Sequence, residues 1–320
     1  MNPQGGMTGA LSPDAVQTEI DAVAWEKYQR KNRPEYLSAS DTMFFKQMTD
    51  NKLAYTWDEY SNVGPFEKMD EQEEFGNSDA FIGNTKTVKQ QKYGKQVPVS
   101  KEAFKADQVG LRTKIGADIG DQARKNQDSN TILDTYGDAF AGSVITTPDG
   151  DALSSASHTT LKGYNVDNLE TAALDADGLW TCVQTLKNQI SQDGTAGSYE
   201  FEGLLVPFNL YKTAKQVMNS QLIPGSAEND INIFETDYGN VAIKATIFLG
   251  STYNSATNAA TSYHVVSSSH MITRNVFSDF EMRLIPPENT ANDSYIMRST
   301  FEESHLAESW AGYVGSNGTA

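Results

Sequence analysis

The chain has 320 residues, 38% of them hydrophobic and 10% aromatic, a composition that suits about two folded domains and excludes a disordered polymer. Its 42 acidic against 25 basic side chains leave a formal charge of −17, which excludes tight non-specific binding of nucleic acid, because that needs surplus lysine and arginine to displace counterions from phosphates. The single cysteine excludes a disulfide framework, no apolar run approaches the roughly 18–20 residues of a membrane span, and the opening "MNPQGGMTGALSPD" has neither region of a secretory signal, so a cytoplasmic origin is expected.

The first predicted element is a helix in "SPDAVQTEIDAVAWEKYQR". Ser12 is its N-cap, Pro13 its first residue, and Asp14 sits at the positive end of the dipole. Val16, Ile20, Val23 and Ala24 fall on one face at helical spacing, with Glu19, Asp21 and Glu26 opposite. A membrane-surface helix would be basic on that face, so the stripe is expected to dock on protein, either its own chain or a neighbouring copy.

Residues 52–100 have few aliphatics and no helical stripe, and turn signals punctuate them at Gly64-Pro65, Gly76-Asn77 and Gly83-Asn84. Their charge is segregated: Glu67, Asp70, Glu71, Glu73, Glu74 and Asp79 come first, and Lys86, Lys89, Lys92 and Lys95 follow. An extended two-stranded arm, acidic towards its tip and basic on return, accounts for this order. Such an arm is too thin to bury its own apolar residues and needs another chain to lie on; the alternative is a solvated loop. Next, Leu111, Ile115, Ile119 and Ala123 recur every four residues, and Ile132, Leu133 and Tyr136 resume the stripe. This predicts one helix from about 106 to 136, weakened by Gly110, Gly116 and Gly120 by up to about 1 kcal/mol each against alanine.

Beyond a polar turn, Leu179, Val183, Leu186 and Ile190 mark a further helix. "EGLLVPFNLYKTAKQVMNS" reads as a buried strand, Pro207, and a helix with Leu210, Ala214, Val217 and Met218 inward. Strands are expected at 241–249 and 263–268, and two more, joined by a Pro/Asn/Asp-rich turn, in "FSDFEMRLIPPENTANDSYIMRSTFEES".

The chemical candidates are weak. "PDGDALSSASH" gathers Asp149, Asp151, Ser157 and His158. Yet Ser157 and His158 are neighbours that point to opposite sides of an extended chain, and the chain has no G-x-S-x-G elbow. The run is therefore read as a surface turn. His264 and His270 lie too far apart to chelate together and have no cysteine or carboxylate cluster beside them. His305 reads as a solvated or paired strand residue, and Cys182 as a small buried hydrophobe. The carboxylates of 67–79 lack calcium-loop spacing, and no phosphate-binding glycine motif follows a strand. The expectation is no enzyme, no cofactor and no metal.

The order of these parts resembles the major capsid proteins of tailed bacteriophages, whose α+β fold is named after phage Hong Kong 97. "YGKQVPVSKEAFKAD" looks like the family's junction between extended loop and spine helix. "LLVPFNLYKTAKQVMNS" looks like its strand–proline–helix segment, and "MRSTFEESHLAESWAGYVG" like its terminal strand. "DGDALSSASH" is similar to a string of the Mu-like head subunits, with Ser154 in place of the usual aromatic. The resemblance covers roughly residues 35–315. It implies an N-terminal arm (1–51), an extended loop (E-loop, 52–100), a peripheral domain with the spine helix (101–167), an axial domain (168–273), and return strands of the peripheral domain (274–320).

In function it implies a structural subunit that self-assembles into pentamers and hexamers of an icosahedral head. That head would enclose double-stranded DNA without sequence-specific binding and without a membrane. Partners would be sister copies, a separate scaffolding protein, a portal and a decoration protein; the place of action would be the virion, with assembly in the host cytoplasm. Trp57, Tyr60, Phe66, Glu67, Asp70, Glu71, Glu73, Glu74, Phe75, Lys86, Lys89, Lys92 and Lys95 are the expected inter-subunit contacts. Val16, Ile20, Val23 and Ala24 would dock the arm, and Gln221, Leu222, Ile223, Pro224 and Gly225 would face the capsomer axis. Some relatives crosslink through a lysine and an asparagine, and no motif here matches that site. Two alternatives stay open: an encapsulin-like bacterial compartment, and a soluble ligand-binding or tail-tube protein.

Overall fold

The computed structural model describes residues 13–29, 33–50, 52–64, 68–69, 80–106, 110–223, 231–256, 259–290 and 294–319. In chain order the elements begin with α1 (Pro13–Tyr28), β1 (Lys46–Thr49), β2 (Ala54–Tyr60), β3 (Ile82–Lys89) and β4 (Gln91–Ser100). Then come α2 (Lys101–Ala106), α3 (Leu111–Ile132), β5 (His158–Thr159), β6 (Asn165–Val166), β7 (Leu169–Glu170) and α4 (Ala176–Lys187). The chain continues through β8 (Gly203–Pro207), α5 (Tyr211–Asn219), α6 (Ile233–Asp237), β9 (Ala242–Thr246) and β10 (Tyr263–Val266). It ends with β11 (Ile272–Ile285), β12 (Ser294–Ala307) and β13 (Tyr313–Ser316). No described helix is long and apolar enough to cross a membrane.

The chain divides into two compact units. One comprises Met1–Lys31, Gln91–Gln127 and Ser278–Glu303; the other comprises Asn32–Gln90, Asp128–Phe277 and Ser304–Ala320.

In the first unit, β4 pairs antiparallel with β12, from Ser294↔Ser100 to Glu303↔Gln91, and α1 and α3 share one core with these strands. Ile20, Ala24, Ile119, Ala123, Val99, Phe104, Phe280, Met282, Met297 and Phe301 are all buried in it. Tyr28 stacks on Phe280 with ring centroids 4.9 Å apart, and Trp25 meets Tyr28 edge-on at 5.3 Å.

The expected helix of about 106–136 is shorter. It starts after Gly110, whose φ of +65° is outside the helical region. α2 stands apart, and a π-helical turn, Leu133–Gly137, follows α3. Gly110 therefore breaks the helix rather than weakening it from within. Gly116 and Gly120 serve a different purpose. A Cβ on Gly116 would stand 2.8 Å from Ile20 Cγ2, and one on Gly120 would fall well inside contact distance of the Ala24 carbonyl. Bare backbone on α3 lets α1 lie against it.

In the second unit a five-stranded sheet has the order β7-β13-β10-β8-β9. "GLLVP" of β8 is buried on both faces, as expected for a central strand with a parallel neighbour, β9, on one side and an antiparallel one, β10, on the other. Asp175 caps α4, accepting from the Gly178 amide at 2.7 Å. Leu179, Cys182, Val183 and Leu186 of α4 are wholly buried, together with Ala214, Val217 and Met218 of α5. Each large aliphatic so buried contributes about 1.5–3 kcal/mol. A second cluster gathers Phe44, Phe45, Ile132, Tyr136, Leu153, Leu205, Ile272 and Tyr313. The Tyr136 hydroxyl donates to the Phe44 carbonyl at 2.8 Å, and Asp128 accepts from the Ala39 amide at 2.7 Å.

Candidate functional site

β2 and β3 form an antiparallel hairpin, Ala54↔Lys89 through Tyr60↔Ile82, with an irregularity between Asp58 and Tyr60. Alternation along β2 gives it two faces. Thr56, Asp58 and Tyr60 face outwards, and Thr56 meets Thr87 across the strands at 2.9 Å. Tyr55, Trp57 and Glu59 face the body of the second unit and are half-buried to buried.

The inward face is fastened by polar groups. Glu59, 3% exposed, accepts from Asn84 Nδ2 at 3.0 Å on β3 and from Gln192 Nε2 at 3.1 Å in the turn after α4. Gln192 in turn accepts from the Leu161 amide at 2.9 Å. Lys86 Nζ donates to Thr146 Oγ1. Gly83 lies against the Leu161 side chain, which would have to shift to admit a Cβ there. Burial pushes the Glu59 carboxyl up to about 7, helped by the Asp149 charge and opposed by the Asn84 hydrogen bond and by His158.

Beneath this end of the hairpin lies the histidine run, and it is not a surface turn. His158 is wholly buried. Its Nδ1 meets Asp149 Oδ2 at 2.8 Å, its Nε2 meets the Leu153 carbonyl at 3.3 Å, and its ring stacks on buried Trp310 at 5.5 Å. Hydrogen bonds from His158 and Thr147 hold the Asp149 carboxyl below its ordinary value, against desolvation, the largest single influence. The sequence does form the expected turn, and the turn folds inward because it places an aromatic-stacked imidazole over a paired carboxylate. Asp149, Asp151 and His158 bring one potential ligand atom each within 4.8 Å of one another. Both imidazole nitrogens already face oxygen partners of the chain, so the trio reads as a structural brace. Ser157 is exposed and bonds Ser155 and, at 3.4 Å, Asp151 rather than His158.

The other candidates for chemistry are core residues. Burial takes His264 down to about 3 and His270 to about 4, the latter aided by Lys46. His264 Nδ1 and the Tyr313 hydroxyl share a hydrogen bond at 2.7 Å. His305 bonds Asp134 at 3.1 Å and Thr131 at 3.0 Å. Burial pushes the Cys182 thiol up to about 12.

The predicted contact residues separate. Trp57 is half-buried against its own chain and lies opposite Lys86, while Tyr60 is 48% exposed. Lys89 pairs with Ala54 at the end of the hairpin. Lys92 and Lys95 are on β4, paired with β12 rather than with the outgoing strand, and Lys92 forms an ion pair with Glu302 at 2.9 Å. The two-stranded arm is thus β2 with β3 alone. Phe66, Glu67, Asp70, Glu71, Glu73, Glu74 and Phe75 lie outside the described residues, as do Pro224, Gly225 and Ser12. Ile20 and Ala24 are buried against their own chain and Val23 is half-buried; the Val16 side chain is outside the description. Leu222 bridges to Ile231. Leu222, Ile231 and Ile233 are exposed apolar residues there, and Gln221 accepts from the Asn232 amide at 3.1 Å.

A sequence profile described as phage capsid protein matches residues 83–294. No curated protein matches the chain by sequence. Among solved structures, the fold is similar to the mature capsid asymmetric unit of bacteriophage PhiM1, with a TM-score of 0.59 and 12% identity over 90% of this chain and 89% of that one. It is also similar to a chain from Mycobacterium phage Bobi, with a TM-score of 0.52 and 15% identity over 96% and 98%. A virus-like particle from Pyrococcus furiosus gives a TM-score of 0.50 and 9% identity over 93% and 98%.

Proposed function

Because the chain belongs to the phage capsid protein family, it is a structural capsid subunit, and we propose that copies of it close into pentamers and hexamers of an icosahedral head enclosing double-stranded DNA. The observation that carries this reading is the β2–β3 hairpin. It is fastened to its own body along one face, and it offers Tyr60 and Ile82 outwards with exposed Val63 and Phe81 beside them. A row of exposed large apolar side chains on a two-stranded ribbon is covered at little cost by a sister copy. Closed symmetry then multiplies a modest contact around the shell.

The acidic run of residues 67–79 sits between the two strands in sequence and sets register against basic surface of the neighbour. Apolar residues supply more of the energy, since exposed ion pairs are worth about 0–1 kcal/mol each. Leu222, Ile231 and Ile233 would gather around the capsomer axis. The formal charge of −17 suits a container whose contents must slide in and leave without adhering. Assembly would take place in the host cytoplasm with a separate scaffolding protein, a portal and a decoration protein as partners. The fold is shared with a virus-like particle, so the contents of purified particles, DNA or protein, separate a head from a cargo compartment.

Deleting residues 65–80 while keeping both strands tests the reading. Electron microscopy should show capsomers or irregular aggregates in place of closed shells. Normal shells of unchanged stability would remove the hairpin from assembly.

A further inference from the structure

The fastening of the hairpin at its Tyr60–Ile82 end is chemically distinct. Several polar contacts of the β2–β3 hairpin are neutral or involve exposed groups, such as Thr56 with Thr87 and Thr85 with Asp58, while Lys86 with Thr146 and Tyr55 with the buried Glu308 are half-buried. Glu59 is different: a carboxylate with almost no exposure, at the strand irregularity, bridging β3 through Asn84 to the Gln192 turn and onwards to the Leu161 amide.

We propose that Glu59 is a protonation latch: with a neutral carboxyl it holds the Tyr60–Ile82 end of the β2–β3 hairpin on the 146–161 segment and the Gln192 turn, and on ionising it loosens that end. The latch belongs to the single chain and does not depend on the shell reading.

The groups around the latch set its sign. Asp149 and His158 act on Glu59 from below, and Asp151 stands within the same cluster as these two. Lys86 on β3 is tied to Thr146. On the far side, Asp193 adjoins Gln192, with Lys162 acting on it. Among the influences on Glu59 itself, desolvation is the largest, and the Asn84 hydrogen bond does not offset it. An ionised carboxylate there is poorly solvated and sits beside a second negative charge. A neutral carboxyl loses that penalty, and it keeps both amides as partners because an amide can turn to offer its oxygen to the acid proton.

Linkage then fixes the direction. The docked form binds the proton more tightly than the released form, where the carboxyl returns to its ordinary range near 4.5. Docking is therefore fully favoured below about 4.5 and weakens as pH rises through about 7. Between pH 5.5 and 8.5 the docked-to-released ratio has a ceiling of roughly a thirtyfold fall, and a carboxyl that stays partly shielded on release gives about tenfold.

Hydrogen–deuterium exchange of the full-length protein, corrected for intrinsic rates, reads this ratio at the amides of 54–60 and 82–89. Wild-type protection there should fall about tenfold from pH 5.5 to 8.5, while the amides of β8 hold steady. Glu59→Gln, a permanently neutral isostere, should stay protected at both pH values. A flat wild-type profile overturns the latch, and so does a Glu59→Gln profile as steep as the wild type. Should Glu59→Gln fail to fold, the wild-type comparison decides alone: a slope confined to the hairpin upholds the latch, and an equal slope at β8 overturns it.

Discussion

Gly120 shows two effects of opposite sign competing at one residue. Replacing a glycine inside a helix by alanine gains about 1 kcal/mol of helix propensity. Here the added methyl would drive into the Ala24 carbonyl, which is backbone and cannot turn aside. Forcing a group into a packed contact costs about 1–3 kcal/mol, so packing wins. Gly120→Ala is expected to lower the thermal midpoint and to free α1 for proteolysis near Trp25. Gly116→Ala should do the same more weakly, because its nearest neighbour is the Ile20 methyl at 2.8 Å. Limited proteolysis with calorimetry of both variants checks the order; a stabilised Gly120→Ala would show that α1 does not rest on α3. The sequence carries this contact as Ile20 and Ala24 on one helix and Gly116 and Gly120 on the other, both at a spacing of four. Read alone, the glycines look like defects, because a glycine's value to a partner is invisible until the partner is placed.

At the scale of elements, the proposed role of the hairpin assigns one face to folding and the other to assembly. Trp57 lies on the inward face with Tyr55 and Glu59, while Tyr60 and Ile82 lie outward, 48% and 66% exposed. Trp57→Ala should destabilise the free subunit by about 1–3 kcal/mol, less than a fully buried aromatic loses. The double variant Tyr60→Ala with Ile82→Ala should leave the subunit's thermal midpoint within about 2 °C and slow shell formation, read by light scattering. Equal loss of subunit stability in both variants would erase the distinction between the faces. Helices with a clean stripe, such as Leu179, Val183 and Leu186, were legible in the sequence, as were the both-sides-buried β8 and the return hairpin, because burial period alone specifies them. The handover from β3 to β4 was not. Lys86, Lys89, Lys92 and Lys95 form one even basic series in sequence, yet β4 leaves β2 for β12, and strand pairing is a long-range choice that local pattern does not encode. His158 was legible as part of a turn, but its burial depends on Trp310, about 150 positions away in sequence.

For the whole molecule, two electrostatic effects oppose each other during assembly. Each copy carries a formal charge of −17, so approaching copies repel one another over the Debye length, about 30 Å at 0.01 M salt and about 8 Å at 0.15 M. The proposed attraction between the acidic run at 67–79 and basic surface on a neighbour would act over a few ångströms and contribute at most about 1 kcal/mol per exposed pair. Long-range repulsion therefore governs the encounter rate at low salt, and short-range pairing governs register once copies touch. Shell formation should be slower at 10 mM than at 150 mM salt, since the added ions remove repulsion across tens of ångströms and weaken contact pairs only partly. Reversing two charges of the run, Glu73→Lys with Glu74→Lys, reduces the net repulsion and should speed initial association at low salt while raising the fraction of malformed particles. Stopped-flow light scattering gives the rate and electron microscopy the product. Faster wild-type assembly at 10 mM than at 150 mM salt would mean that charge complementarity, and not net charge, controls how copies meet.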